Sequence, residues 1–369
     1  MADLRVENLA RVLVDYSVAV RTGDRVLING SSIAQPLLKE IYTRVLEAGG
    51  HPLMMLSLPD MEELFFRYAS DDQLKHVPKP LELVMETYDV RIAILAEANT
   101  KALSNVDPSK IVLQRQARTE LMRTFMRRSA TGELRWTVAP FPTSAFAQDA
   151  EMGLSEYEDF VYGACLPDMS DPVGYWQRFS VRQQKIVDWL KGKRQVRIVG
   201  PETDLRFSIA NRTFVNCDGH HNMPDGEIFT GPVEDSIKGH VYFSYPSIYG
   251  GREVTGVRLW FEHGKVVKAS ADKNGDFLAQ TLDTDIGSRF IGEFGIGTNE
   301  GIKNFTREIL FDEKISGSFH LALGAGYPET GSKNESAIHW DMICDLRGGG
   351  EIWVDDELLH QNGKFVTDP

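Results

Sequence analysis

Arg25-Val26-Leu27-Ile28-Asn29-Gly30, answered after one helical stretch by His51-Pro52-Leu53-Met54-Met55-Leu56-Ser57-Leu58, decides the fold of the first half of this 369-residue chain. The first, a short and nearly continuous apolar run, reads as a buried strand, and the second is the next strand. The helix expected between them, about residues 34–48, is stopped by Gly49-Gly50. Val90-Arg91-Ile92-Ala93-Ile94-Leu95-Ala96 reads as a third strand and Trp136-Thr137-Val138-Ala139-Pro140 as a fourth. A long helix is predicted between these two, with Asp107 as N-cap and Pro108 in its first turn. Its apolar side is read as Ile111, Leu121, Met122, Phe125 and Met126, and the basic run from Arg123 to Arg128 as its solvated face. Strands alternating with helices at this spacing imply a doubly wound, mainly parallel sheet.

Near Lys191-Gly192-Lys193-Arg194 the pattern changes. Val196–Val199 and Leu205–Ile209 are short strands. Val257–Glu262 and Lys265–Lys268 flank His263-Gly264 as a two-residue hairpin turn, and Glu351–Val354 runs into Asp355-Asp356 in the same manner. With one helix near Phe277–Gln280, the second half is mainly β (α+β). The chain therefore divides into an α/β N-terminal domain, residues 1–191, and a C-terminal domain, residues 192–369.

Composition is that of a folded protein, 42% apolar and 25% charged. A net charge of −13 argues against nucleic acid, whose phosphates need concentrated Lys and Arg. Such acidity serves solubility, or marks a carboxylate-rich cavity that favours a cationic substrate end or divalent metals. Cys165, Cys217 and Cys344 are scattered and form no CxxC pair, so a disulfide framework is not indicated and a reducing compartment fits. Met1 to Glu7 lacks the apolar core of a signal peptide, and no apolar run approaches the roughly 20 residues that span a bilayer. A cytoplasmic protein without a membrane partner is expected.

The chemistry-bearing residues fall in the second half. In Ala337-Ile338-His339-Trp340-Asp341-Met342 an extended backbone aims His339 and Asp341 to one side and apolar neighbours to the other. His320 lies upstream in an apolar run. Glu227 follows Pro224-Asp225-Gly226, a tight loop entering a strand, and Glu293 sits between Gly292 and Gly295. Taken singly, each has an ordinary structural explanation, such as a hydrogen-bonded core histidine or a loop carboxylate. Together, two imidazoles and three carboxylates suit borderline divalent ions and exceed what one tetrahedral ion needs, which points to a two-metal hydrolase. His220-His221 adjoin in a loop and are expected to point apart. Gly324-Ala325-Gly326 lacks the last glycine and the βαβ setting of a dinucleotide loop.

The ordered segments PDGEIFTGP (224–232), GEFGIGTN (292–299), FDEKISGSFHLALGAGYPE (311–329) and ESAIHWDMI (335–343) carry a specific resemblance. They resemble the thermophilic-type metalloaminopeptidases, the M29 family of the aminopeptidase T and aminopeptidase S type. In the first half, Gln114–Arg118 and Glu156–Tyr162 look similar too, so the likeness covers essentially the whole chain. It implies metal ligands at Glu227, Glu293, His320, His339 and Asp341, an active-site tyrosine at Tyr327, and a further carboxylate, Glu313, as ligand or neighbour. It also implies two divalent ions per chain (zinc, cobalt, manganese or magnesium), peptides with a free N-terminal amine as substrates, and a homodimer. Ser332 stands where glycine would be usual. On this reading Tyr327 stabilises the oxyanion, Glu293 is a candidate to shuttle a proton, and the metals activate water. Two rivals are weighed: a mononuclear iron ring-opening dioxygenase of the dihydroxypyridine type, and a binding protein with a closed structural metal.

Overall fold

The computed structural model describes residues 3–366, which contacts divide into two units. One comprises Met1–Gln177 with Gly219–Pro224, the other Arg178–Asp218 with Asp225–Pro369.

In the first unit four strands, β1 (Arg25–Ser31), β2 (His51–Ser57), β3 (Val90–Leu95) and β4 (Arg135–Pro140), form an all-parallel sheet in the order β2-β1-β3-β4. The helix Gln35–Glu47 packs on β1 and β2 and buries Leu37, Leu38, Ile41 and Val45. Helix Thr119–Ala130 lies over the sheet face carrying Arg91 and Trp136, with Phe125 against both.

The long helix expected after Asp107 is two helices, Pro108–Ala117 and Thr119–Ala130, separated at Arg118, whose ψ of 6° leaves the helical region. The N-cap holds, since Asp107 accepts from the Ser109 amide at 2.9 Å. Two further expectations fail there. Met122 and Met126 are 59% and 57% exposed, because the inward positions of the second helix are Leu121, Phe125 and Arg128, one residue out of step with them. Arg128 is buried, donating to the carbonyls of Met85 and Tyr88 at 2.9 and 2.8 Å. These belong to the end of helix Lys79–Thr87, where unpaired carbonyls want a cation.

In the second unit the strands continue as β5 (Gln195–Gly200), β6 (Thr203–Ser208), β7 (Val215–Cys217), β8 (Glu227–Thr230), β9 (Lys238–Tyr242), β10 (Ser247–Tyr249) and β11 (Arg252–Val254). Then come β12 (Arg258–Glu262), β13 (Lys265–Ser270), β14 (Ile291–Gly297), β15 (Ser318–Gly324), β16 (His339–Asp345), β17 (Glu351–Val354), β18 (Glu357–Gln361) and β19 (Lys364–Phe365). An eight-stranded sheet runs β13-β12-β9-β6-β5-β17-β18-β19, a five-stranded one β16-β15-β14-β8-β7, and β10 pairs with β11. All their pairings are antiparallel. The two predicted hairpin turns are present, with positive φ at His263 and Gly264 and at Asp355 and Asp356, the pattern of a primed two-residue turn. The larger sheets share one core, in which Phe207 of β6 meets Phe294 of β14 edge to face at 5.0 Å. No helix among the described residues is long and apolar enough to cross a membrane.

Candidate metal centre

Strand pairing in the five-stranded sheet assembles the centre. Glu227 lies opposite Gly297, His320 opposite Gly295, Ala322 between Glu293 and Asp341, and His339 opposite Gly324. Paired positions share a face, so Glu227, Glu293, His320, His339 and Asp341 emerge together. Their neighbours on that face, Gly295, Gly297, Ala322 and Gly324, are small enough to leave room. The alternate residues, Phe294, Ile296, Phe319, Leu321, Leu323, Trp340 and Met342, are buried in the core and fix the register.

The side chains converge on two groups. His320 Nε2 lies 3.3 Å from Glu227 Oε2 and 3.4 Å from Glu293 Oε1. His339 Nε2 lies 3.3 Å from Glu293 Oε2 and 3.5 Å from Asp341 Oδ2. Within each trio, Glu227–Glu293–His320 and Glu293–His339–Asp341, one ligand atom per residue falls within 4.8 Å of the others. Glu293 belongs to both.

Burial pushes the carboxyls of Glu227 and Asp341 above the usual carboxylate range. Burial acts on Glu293 in the same sense, but the two imidazoles it faces overrule it and hold it low. Burial likewise opposes charge on His320 and His339, and the surrounding carboxylates outweigh it. Among the described residues, Glu227 Oε2, Asp341 Oδ1 and His320 Nδ1 are buried without a hydrogen bond, a costly condition that a bound cation relieves for the oxygens. Oxygen and imidazole donors in this number fit divalent ions of the zinc, cobalt or manganese type.

Surrounding groups hold these donors in place. His339 donates from Nδ1 to the Ala325 carbonyl at 2.8 Å, which turns Nε2 towards Glu293 and Asp341. The glycine-rich loop after β15 thus orients a ligand. Gln183 donates to the carbonyls of Glu227 and Cys217 at 2.8 and 2.9 Å, tying helix Pro172–Leu190 to β7 and β8. Gly226, just before Glu227, has φ +123° and stands where a Cβ would come within 2.8 Å of Asn299. At Gly295 a Cβ would sit 2.1 Å from His320 Cε1, so only glycine admits the imidazole.

Tyr327 places its ring 5.3 Å from those of both His339 and Phe229 and is 37% exposed. Glu313 lies outside both trios and pairs with Lys314. The rings of His220 and His221 meet Tyr16 and Trp136, at 4.7 and 4.6 Å, and neither joins a trio. Asp225 and Cys217, which group with Glu227, were not singled out by the sequence reading, nor were Gln183 and the buried Lys314. Nothing local marks Lys314, which follows Asp312-Glu313 and reads as one more surface charge.

A model of the thermophilic metalloprotease (M29) family matches residues 2–365. The chain is 25% identical to aminopeptidase 2 of Geobacillus stearothermophilus over 386 residues, covering 96% of this chain and 90% of that one. It is 25% identical to aminopeptidase AmpS of Bacillus subtilis over 409 residues, covering 98% of each. Among solved structures, wild-type AmpT from Thermus thermophilus superposes with a TM-score of 0.86 at 21% identity, over 98% of this chain and 99% of that one. The 2,5-dihydroxypyridine dioxygenase of Pseudomonas putida superposes with a TM-score of 0.61 at 14% identity, over 98% and 97%. At these identities the structural likenesses speak for the fold alone.

Proposed function

The chain belongs to the thermophilic metalloprotease (M29) family, a family of enzymes, and on that premise we propose a metal-dependent aminopeptidase that works with two divalent ions. The observation that carries the reading is Glu293, whose two oxygens face two different imidazoles. Glu227, Glu293 and His320 would hold one ion, and Glu293, His339 and Asp341 the other, with zinc, cobalt, manganese or magnesium as candidates. Such ions, when bound, supply a water of near-neutral pKa and polarise the scissile carbonyl.

The remaining work falls to the protein's own groups. The buried carboxylates make the site attractive to the α-ammonium of a peptide, which restricts cleavage to the N-terminal residue. The Tyr327 phenol, on a ring packed against His339, is assigned to donate a hydrogen bond to the developing oxyanion. Relay of a proton to the leaving amine is assigned to Glu293, the carboxylate common to both trios, with Glu313 as a neighbouring carboxylate. In this reading residues 192–369 are the catalytic domain, and the enzyme is a cytoplasmic homodimer.

The dioxygenase reading has the fold in its favour, but three clustered carboxylates with two imidazoles offer more donors than the facial triad of a mononuclear iron oxygenase, which keeps positions open. Metal analysis joined to a panel of aminoacyl anilides, with an N-acetylated control, tests the proposal. About two ions per chain and cleavage of free-amine substrates alone are expected. One iron per chain, or equal cleavage of the blocked substrate, would overturn it.

A further inference from the structure

The first unit encloses a cavity of about 740 Å³ that the peptidase reading leaves without a role. It opens at the carboxyl ends of β1 and β3, lined there by Gly30 and Ser31 on one side and Ala96 and Glu97 on the other. In the order β2-β1-β3-β4 the chain leaves β1 and β3 in opposite directions, so this is the switch point where open parallel sheets take ligands. The volume is that of a small-molecule site.

Most of the wall is apolar, with Leu27, Met55, Met85 and Ile94 among its members. Into this wall is set Arg91. Its Nε donates to Asn29 Oδ1 at 3.0 Å and its guanidinium lies over the Phe125 ring at 5.6 Å. Among the described residues it makes no ion pair, and both terminal nitrogens lack a hydrogen-bond partner, while burial with no opposing carboxylate pulls its pKa down. A half-buried guanidinium with its fork open is built for a planar anion.

Two observations choose the anion. Asp60, Glu62, Glu63 and Glu97 also line the cavity, against two cations, Arg91 and Arg118, and this excess of carboxylates repels a multiply charged phosphate more than a single negative charge. The turn after β1 lacks a glycine-rich phosphate loop. A carboxylate carries one charge, matches the guanidinium, and leaves the apolar walls to the rest of the ligand.

We propose that this cavity is a second ligand site, separate from the metal centre, which takes an apolar monocarboxylate on the guanidinium of Arg91. The carboxyl end of a short apolar peptide and a free aliphatic acid share this chemistry. Calorimetric titration of the metal-loaded, full-length protein with N-acetyl-leucyl-leucine tests it, since the blocked amine keeps the probe from anchoring at the metals. Saturable binding near one per chain is expected, weaker by about tenfold or more for the C-terminal amide and for Arg91→Gln. Ala98→Trp, at an exposed position of the wall, narrows the cavity away from Arg91 and should weaken binding by a like factor, with aminoacyl-anilide hydrolysis unchanged. It decides the matter should Arg91→Gln not fold. Hexanoate in parallel separates the sources: binding of hexanoate as tight as that of the dipeptide assigns the site to aliphatic acids, and binding of the dipeptide alone to peptide termini. Equal binding of acid and amide, binding as tight in Ala98→Trp as in the parent, or no saturable binding of either probe at concentrations on the order of 10 mM overturns the proposal.

Discussion

Lys314 Nζ lies 3.4 Å from Glu227 Oε1, with the lysine fully buried and the glutamate nearly so. Lys314 is 0% exposed and also pairs with Glu313. Burial alone would drive its proton off, but Glu227, Glu313 and Asp225 overrule it and keep the ammonium charged. The cation therefore stands behind the carboxylates at one edge of the centre and offsets part of their mutual repulsion. In the metal-free protein it shares this task with the imidazoles of His320 and His339. With divalent ions in place the same carboxylates have a further source of positive charge.

That difference yields a stability prediction. Lys314→Met should cost the chelator-treated protein about 3–5 kcal/mol, the range for removing one member of a buried pair. The loss should shrink in the metal-loaded protein, because the ions neutralise Glu227 there. Thermal melts with and without chelator read the difference. An equal drop in both states would mean that Lys314 serves packing and not charge.

Gly295→Ala tests the close approach of β14 to His320. The added methyl would occupy the position of the imidazole, 2.1 Å from Cε1 and 2.2 Å from Nε2. Overpacking of this kind costs about 1–3 kcal/mol, which a core of this size tolerates. The fold should survive while metal content and peptide hydrolysis fall together. Full metal content with full activity would show that His320 is not needed where it stands.

Asp285 governs the approach to the last ligand strand. It accepts from the Ala337 amide at 2.7 Å, from Ser336 Oγ at 2.9 Å, and from the Ser288 amide and hydroxyl, both at 2.9 Å. The Ala337 amide first, then the serines, hold its carboxyl down to about 2. A carboxylate with a depressed folded-state pKa stabilises fully above its unfolded pKa near 3.9 and loses that contribution as pH falls towards 2. Asp285→Asn should therefore cost roughly 1–2 kcal/mol at neutral pH, discounted for its partial exposure. The gap to the parent should close between about pH 4 and pH 2. Denaturant titrations of both proteins in chelator, at neutral pH and at pH 3, measure it, and a pH-independent gap would discard the carboxylate's role.

Different parts of this molecule were legible in the sequence for different physical reasons. β1 to β3 are continuous apolar runs, and punctuation such as Gly49-Gly50 marks them without reference to anything distant. His339 and Asp341 share a face by the two-residue period of a strand, another local property. The meeting of Glu293 with both His320 and His339 is not local. It depends on the pairing of β14 with β15 and of β15 with β16, including the register shift between Ile291 and Glu293. Family wording, not spacing, carried that part. Burial of a charged group is harder still to read. Arg128 looked like one more arginine of a solvated helix face until the carbonyls of Met85 and Tyr88 were found at its tip. Lys314 and Arg91 are hidden for the same reason, since only tertiary packing shows that a long cationic side chain has been folded inward.

Glu293 gives the sharpest test of the two-ion centre. If it is shared, its removal must differ from removal of a ligand that serves one ion. His339→Ala and Glu227→Gln each strip one trio and leave the other with its three donors. Each variant should therefore keep close to one tightly held ion per chain, from a parent holding about two. Glu293→Gln weakens both trios at once, because the neutral amide replaces the anionic oxygen facing each imidazole. It should lose both ions on dialysis against dilute chelator, while its circular dichroism stays that of the parent. Peptidase activity should disappear in all three, so metal stoichiometry and not rate carries the information. One ion retained in Glu293→Gln would assign Glu293 to a single metal and leave another carboxylate, Glu313 foremost, to bridge the pair.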